Sequence, residues 1–262
     1  MIDHSQMKTG RRPANLAKVK AHLQARDVLN LSVLPSRPAA RDWSMVDGAP
    51  LAYQMFLNNL YSDCVFASAS NSQITQSANS GTQVAILDSE VQDAYTRFTG
   101  FNPDDPSTDN GANMLDVGMR CLRGELIAGR KLLGFVAINP KDDDMVAAAA
   151  EFFGGLWTGF DLPIAWQGAS EWDVAPDDST SGKWEPRSWG GHAVHLHSYS
   201  PGVDQLTTWS EGMPLTPAAR HRYMEECYCL IWSGLWNRLD NGLCPPGIDL
   251  QRIFDVGKIV GV

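Results

Sequence analysis

Residues 58–71 read NNLYSDCVFASASN, a polar, turn-forming run that passes directly into small residues compatible with a helix. This order predicts a helix that begins at Cys64 and runs to about residue 77. Backbone N–H groups in the first turn of a helix lack partners within the helix, and the helix dipole is positive there. Both effects favour a thiolate, so Cys64 is a candidate nucleophile with a lowered pKa. The alternative is that Cys64 is a small buried hydrophobic residue, as most free cysteines are.

A second stretch reads WGGHAVHLHSY at residues 189–199 and alternates as a strand does after its glycine pair. A nucleophilic cysteine needs a base within hydrogen-bond reach, and the base normally stands far away in sequence. His192 meets this requirement. Because side chains alternate along a strand, His192 faces away from His195 and His197, and a zinc site of the three histidines would be strained. We expect neither a metal nor a cofactor.

At these residues the chain resembles the papain-like cysteine peptidases. In that family a Cys that opens a helix is followed, much later, by His-Ala-Val at the start of a strand, here Cys64 and residues 192–194. The resemblance implies that Cys64 is the nucleophile, that His192 is the base and that the substrate is a peptide. It also implies an oxyanion-hole amide at Asn58. The family's third catalytic residue, an Asn in Asn-Ser-Trp-Gly, corresponds to Thr207.

The resemblance further implies an α+β fold, with an N-terminal helical half, a central Cys-bearing helix and a C-terminal antiparallel sheet on which the helix packs. A closer resemblance is to an uncharacterised papain-fold family encoded by tailed bacteriophages, and it covers about residues 40–232. Its most specific part is DNGANMLDV at residues 109–117. A Gly-His strand and a following Thr-Trp pair are shared as well.

Two functions follow from the phage resemblance. The first is a structural or accessory virion protein, made in the host cytoplasm, that contacts copies of itself or other virion proteins. The second is an active thiol peptidase or amidase that uses Cys64 and His192 in phage entry or maturation. Because Thr207 cannot orient an imidazole as an asparagine does, we expect the structural role.

Charge is distributed unevenly along the chain. Residues 1–41 carry eight Lys or Arg and two acidic residues, a charge of +6, and the remainder carries −15. A basic arm on an acidic body suggests nucleic acid, the chain's own body or an acidic neighbouring subunit as the arm's target. The acidic body argues against nucleic acid. We therefore expect the arm to contact a neighbour in an assembly.

The chain divides into the basic N-terminal arm (1–41), a papain-like domain (42–232) and a C-terminal extension (233–262). The extension carries an amphipathic segment after residues 245–247 and is expected to dock on the body or on a neighbour. Residues 166–189 form an irregular stretch with four tryptophans. These are either anchors for an assembly partner or a satellite core that covers the sheet.

Composition sets further bounds. The 262 residues are 44% hydrophobic, which is ordinary for a globular protein with a substantial core. The apolar runs are too short to span a bilayer, and the polar N-terminus has no signal-peptide pattern. Five cysteines form an odd number without framework spacing, which is typical of a protein made in a reducing cytoplasm.

Hydrophobic periodicity and capping residues predict the other elements. Cys227 and Cys229 share one strand face, so they are expected to be buried and not to bridge each other. Their redox state and that of Cys244 stay open. Helices are expected at about residues 14–30, 88–99, 112–122, 142–153 and 216–226, and strands at about 132–138, 156–162, 205–209 and 227–232.

Overall fold

The structure is a computed structural model that describes residues 4–236 and 245–260. Within these residues a helical half packs against an antiparallel sheet. Most of the predicted helices are present, within a few residues of the expected bounds. The helices are α1 (Leu16–Ala21), α2 (Cys64–Ala78), α3 (Asp88–Thr99), α4 (Met114–Leu122), α5 (Asp143–Phe153), α6 (Pro217–Tyr223) and α7 (Leu250–Val260).

The strands are β1 (Arg41–Asp42), β2 (Met45–Val46), β3 (Ala49–Pro50), β4 (Leu132–Ile138), β5 (Leu156–Leu162), β6 (Gly190–Tyr199), β7 (Asp204–Thr208), β8 (Glu211–Leu215) and β9 (Met224–Trp232). In the described part of the chain the main sheet has seven strands in the order β4-β9-β5-β6-β7-β8, with β1 paired to β6. All of its pairs are antiparallel. One hydrophobic cluster holds α2, α3 and α4 against one face, and another packs α5 on the opposite face. The predicted α+β architecture is confirmed.

Helix α2 begins at Cys64, as predicted, and every one of its side chains is buried. Most of its polar residues are tolerated because they hydrogen-bond within the core. The Ser68 hydroxyl donates to the Cys64 carbonyl at 2.6 Å and accepts from the Trp157 indole at 2.8 Å. The Gln76 amide donates to the carbonyl groups of Phe153 and Leu230. The sheet therefore fixes the position of α2, and with it the position of Cys64.

Two helices end earlier than predicted, and strand β8 was missed. The helix expected to reach residue 226 ends at Tyr223, because the following residues pair with β5, where Gly159 stands opposite Glu226. Strand β8 was not predicted, since Gly212 and Pro214 hide its alternation. The helix expected over residues 14–30 ends at Ala21. The backbone then runs along the edge of β4, where the amide of Ala137 donates to the carbonyl of Leu23.

The tryptophan-rich stretch packs on the chain itself. Trp166 and Trp172 are buried and stack with ring centroids 4.7 Å apart. Both belong to the cluster that covers the α5 face of the sheet, and Trp184 and Trp189 pack against it while partly exposed. Of the two alternatives, the satellite core is the one observed. Trp166 and Trp172 are therefore not exposed as anchors for a partner.

The described part of the C-terminal extension also docks on the body. Ile253 of α7 is fully buried and lies so close to Gly134 of β4 that a Cβ there would come within 2.6 Å of it. Among the cysteines in the described residues, Cys64, Cys121, Cys227 and Cys229 are buried free thiols. Cys244 lies outside the described residues. No helix in the described residues is long and apolar enough to cross a membrane.

Candidate active site

Cys64 is the first residue of α2, and its sulfur faces β6. The backbone N–H of Ala193 donates to Sγ of Cys64 at 3.4 Å. Ala193 directly follows His192, so the sulfur of the sequence-predicted nucleophile lies against the backbone next to the sequence-predicted base. Both are almost completely buried, with exposures of 0% for Cys64 and 1% for His192. The helix start and the strand start meet as the sequence predicted.

His192 is held from two directions. Its Nε2 lies 2.9 Å from the hydroxyl of Thr208, and its ring stacks on Trp209 with a centroid distance of 4.2 Å and an interplanar angle of 16°. Its Nδ1 is buried and has no hydrogen-bond partner among the described residues. Nδ1 is therefore the ring nitrogen left available to exchange a proton.

Burial favours the neutral form of both groups. Burial raises the pKa of Cys64 to about 11, although the backbone N–H groups of Ala193 and Gly10 favour the thiolate. Burial, together with the charges of Arg11 and His4, lowers the pKa of His192 to about 3. The expectation of a lowered pKa for Cys64 is therefore wrong for this closed state. Desolvation outweighs the helix terminus when the thiol has no access to water.

Thr207, the sequence candidate for the third position, does not contact His192. Its hydroxyl is buried without a hydrogen-bond partner in the described part of the chain. It stands opposite His195 in the pairing of β6 and β7. Because neighbouring residues of a strand face opposite ways, the next residue, Thr208, takes the place beside His192. The prediction for the third position was wrong by one residue.

Asn58 is buried near the start of α2, and its amide donates to the carbonyl of Tyr61 at 3.1 Å. Its amide nitrogen carries a second hydrogen that this contact does not use. The structure therefore brings Asn58 to the turn that precedes Cys64. The oxyanion role of Asn58 stays a prediction.

Asp63 is a residue that the sequence reasoning passed over, although it directly precedes Cys64. Its carboxyl is fully buried, and the amide of Asn58 lies close enough to favour the ionised form. Burial raises the pKa of Asp63 well above its ordinary value. A neutral carboxyl at this place does not oppose a thiolate at Cys64, whereas an ionised one would.

The N-terminal arm lies directly over the thiol. The carbonyl of Gly10 accepts from the amide of Ala112 at 2.9 Å, and the amide of Arg12 donates to the carbonyl of Ala112 at 2.8 Å. On the other side, the amide of Arg11 donates to the carbonyl of Gly191 at 2.8 Å. The arm is thus an extended strand that bridges the two walls of the site. Of the three targets left open by its charge, this segment contacts the chain's own body.

The fit of the arm over Cys64 requires glycine. A Cβ on Gly10 would lie 1.9 Å from the carbonyl oxygen of Ser62, well inside any tolerable contact. Ser62 cannot move easily, because its amide donates to Asp109 at 2.9 Å. Earlier in the arm, the ring of His4 packs on Trp209 at a centroid distance of 5.1 Å. The arm therefore covers both the cysteine and the histidine.

Arg11 extends from the arm into an acidic pocket, and its side chain is fully buried. The carboxylates that surround it come from residues far apart in sequence, which sequence reasoning did not connect. The only local signal was the adjacent pair of glutamates at the start of β9. The carboxylates are Asp161, Glu225 and Glu226.

The other two histidines of β6 do not join this site. Nδ1 of His195 lies 3.2 Å from the carbonyl of Leu156, and Nε2 lies 2.8 Å from the hydroxyl of Thr75. His197 pairs with Asp42 at 3.2 Å. In the described residues, no group of three or more His, Cys, Asp or Glu side chains is arranged to hold a metal ion.

Solved structures with the same architecture are cysteine proteases. Xylellain, a cysteine protease from Xylella fastidiosa, superposes with a TM-score of 0.61 at 11% identity, over 86% of this chain and 96% of its own. Procathepsin L2 from the larval midgut of Tenebrio molitor superposes with a TM-score of 0.56 at 14% identity, over 87% of this chain and 79% of its own. No protein-family model matches the chain, and no curated protein matches it significantly. The chain therefore has the papain-like fold.

Proposed function

We propose that the chain is a cysteine peptidase of the papain type whose site is covered by its own arm in the state described. The observation that carries the proposal is the pairing at the start of α2. Sγ of Cys64 contacts the amide of Ala193 at 3.4 Å, while the adjacent His192 is held through Nε2 and keeps Nδ1 without a partner in the described residues. A nucleophile beside an oriented base is what acyl transfer requires.

The residues take the following roles in the proposed reaction. Sγ of Cys64 attacks the peptide carbonyl carbon while Nδ1 of His192 accepts the thiol proton and then gives it to the leaving amine. The backbone N–H of Cys64 and the amide of Asn58 stabilise the oxyanion. Thr208 and Trp209 hold the imidazole. A water molecule, activated by His192, then hydrolyses the thioester and restores the thiol.

The arm has to leave before a substrate can enter. Residues 10–12 occupy the backbone positions between Ala112 and Gly191 that an extended peptide would need. Their departure would admit water to Cys64 and His192. Because burial is the largest cause of both pKa shifts, exposure brings the two pKa values back toward one another. The proton of the Cys64 thiol can then pass to the His192 imidazole, which forms the reactive thiolate–imidazolium pair.

A substitution at Gly10 tests this in the full-length chain. Gly10→Ala places a methyl group against the Ser62 backbone and is expected to displace the arm. Gly212→Ala is the matched control, because a Cβ at Gly212 meets nothing within 4 Å. The readouts are iodoacetamide labelling of Cys64, followed by mass spectrometry, and hydrolysis of a fluorogenic peptide library.

We expect Gly10→Ala to raise the labelling rate at neutral pH by about tenfold or more, since each unit by which the thiol pKa falls raises the thiolate fraction about tenfold. Peptide hydrolysis is expected to appear at the same time. Adding His192→Ala should remove both gains. Labelling of the opened site no faster than that of an ordinary thiol, with no hydrolysis, would overturn the proposal.

The second candidate is the structural role in a phage virion, with copies of the same chain or other virion proteins as partners, after synthesis in the host cytoplasm. It is favoured by the complete burial of Cys64 and His192 and by Thr208 at the place of an asparagine. Sedimentation of the chain with and without residues 1–40 tests it. Weaker self-association of the shortened chain is expected for an assembly protein, and unchanged association contradicts it.

A further inference from the structure

The Arg11 pocket satisfies the guanidinium group completely. Nη1 donates to Glu225 and Glu226, each at 2.7 Å, and Nη2 donates to Asp161 and, at 3.1 Å, to the carbonyl of Phe160. Nε donates to the same carbonyl at 3.3 Å. All five N–H groups of an arginine side chain thus have an acceptor. A pocket that only had to hold a cation would not need one acceptor for each of the five N–H groups.

The pocket is also shaped for the aliphatic part of an arginine. A Cβ on Gly159 of β5 would lie 2.6 Å from Cδ of Arg11 and 2.8 Å from Cγ of Glu226. The absence of a side chain at Gly159 therefore leaves the channel through which the arginine passes. The acidic side chains are held from behind, since the Tyr228 hydroxyl donates to Glu226 at 2.7 Å and Arg187 pairs with Asp161 at 2.6 Å.

Without Arg11, the pocket holds more carboxylates than cationic partners. Three carboxylates face Arg11, and Arg187 contacts Asp161. When Arg11 leaves, the carboxylates of Glu225 and Glu226 lose the guanidinium that both of them contact. Uncompensated charge in a mostly buried place is strongly unfavourable. The empty pocket therefore attracts either protons or a new cation of the same shape.

The pocket lies close to the backbone that contacts the sulfur of Cys64 and precedes His192. The amide of Arg11 donates to the carbonyl of Gly191, which precedes His192. The amide of the preceding residue, Gly10, faces Sγ of Cys64 and favours its thiolate. A ligand strand that takes the place of the arm puts beside the sulfur the peptide bond that lies one residue before the residue in this pocket.

We infer that the pocket of Asp161, Glu225 and Glu226, the guanidinium pocket, is a substrate subsite that selects an arginine side chain one residue away from the peptide bond under attack. The inference rests on the proposed peptidase function. Lysine is expected to bind less well, because its ammonium group offers three donors from one point and cannot reach the Asp161 and glutamate sides at once. Apolar side chains would leave the carboxylates unpaired.

Binding is tested in the full-length chain with Gly10→Ala and Arg11→Ala, which displace the arm and empty the pocket, and with Cys64→Ala, which prevents chemistry. Calorimetry compares acetyl-Gly-Arg-Gly-amide with the same peptide carrying lysine or citrulline. The arginine peptide is expected to bind roughly ten- to a hundredfold more tightly, since hydrogen bonds to charged groups are the strong ones. Glu226→Gln should reduce this preference.

Turnover separates the subsite from the peptidase proposal. With Cys64 restored, hydrolysis that prefers arginine supports both. Arginine-selective binding without hydrolysis keeps the subsite and refutes the peptidase. Hydrolysis without a preference for arginine keeps the peptidase and overturns the subsite, because the pocket is then only a latch for the arm.

A second measurement needs only one substitution, so it does not depend on the folding of the combined variants. In the chain with Arg11→Ala alone, ethylguanidinium is expected to raise the melting temperature more than ethylammonium at the same concentration. An equal shift with the two cations overturns the selectivity for a guanidinium group. Gly159→Ala in the same chain should abolish the rescue, because its methyl group fills the channel.

Discussion

His192 and His195 lie on the same strand, both buried, yet their ring nitrogens are used differently. Burial is the main cause that lowers the pKa of each to about 3. His195 has a partner at both nitrogens, the carbonyl of Leu156 and the hydroxyl of Thr75. His192 has a partner at Nε2, whereas its Nδ1 has none in the described residues. The two histidines therefore differ in their partners and not in their burial, and under the proposed function only His192 exchanges a proton.

The tautomer follows from these partners. A carbonyl can only accept, so Nδ1 of His195 carries the hydrogen and its Nε2 accepts from the hydroxyl of Thr75. The hydroxyl of Tyr53 lies 2.9 Å from the same Thr75 oxygen and completes the network. His192 faces a hydroxyl, which can donate or accept. Its protonation can therefore change without breaking a contact, as a general base requires.

The largest expected effect comes from removing each ring in the Gly10→Ala background. His192→Ala should lower peptide hydrolysis by about a hundred- to ten-thousandfold, the usual contribution of a positioned acid–base group. His195→Gln should leave hydrolysis per folded molecule within about threefold, since His195 serves the core. Steady-state kinetics on folded fractions measure both. Equal losses in the two variants would remove the distinction between the histidines.

The next effect is on acid stability, where the two histidines should behave alike. The pKa of each is lowered from 6.5 to about 3, so the unfolded chain takes up protons that the folded chain does not. Stability is therefore lost as pH falls from about 6.5 towards 3, by about 1.4 kcal/mol per pH unit for each buried histidine. His192→Gln and His195→Gln should each reduce this slope by that amount in urea unfolding. A slope that stays the same in either variant would mean that the histidine is not buried as a neutral group.

The sequence predicted the parts of the fold that depend on local order. The polar run before Cys64 and the small residues after it indicated the start of α2, and the glycine pair before His192 indicated the start of β6. Both signals arise from backbone preferences of neighbouring residues, so they can be recognised without the tertiary structure. The pairing of Cys64 with His192 came from the need of a nucleophilic cysteine for a base far away in sequence, and the family resemblance supported it.

The threonine beside His192 could not be predicted in the same way. The pairing of β6 with β7 shifts by one residue between Leu196 and Ser198. Without this irregularity, Thr208 and not Thr207 would stand opposite His195. A shift of one residue exchanges the two faces of a strand, and no sequence signal marks the position of such a bulge. Spacing from Trp209 alone therefore pointed to the wrong threonine.

The guanidinium pocket was beyond sequence reasoning for a different reason. Arg11 meets Asp161 and Glu226 across separations of 150 and 215 residues. In the sequence, they are recognisable only as members of a basic arm and of an acidic body. The charge asymmetry correctly suggested that the arm has an acidic target. It carried no information on which carboxylates converge, or that they do so beside Cys64.

A smaller effect is expected where the His195 network is broken from the α2 side. Thr75→Val keeps the shape of the side chain but removes the hydroxyl that bonds His195 and Tyr53. Two buried polar groups are then left without this partner, which should lower the free energy of unfolding by roughly 1–3 kcal/mol. Urea denaturation measures the change, and peptide hydrolysis in the Gly10→Ala background should persist. An unchanged stability would show that the network adds nothing to the fold.

The smallest effects separate the two neighbouring threonines. Thr208→Val removes the hydroxyl that orients His192 and should lower hydrolysis in the Gly10→Ala background by about tenfold, the equivalent of one modest hydrogen bond. Thr207→Val removes a buried hydroxyl that has no partner in the described residues, so it should leave hydrolysis unchanged and raise stability by up to about 1 kcal/mol. The two variants have the same chemistry and adjacent positions, which makes each the control for the other. If Thr207→Val impaired hydrolysis and Thr208→Val did not, the register of β7 beside His192 would be the opposite of the one described, and the role given to Thr208 would pass to its neighbour.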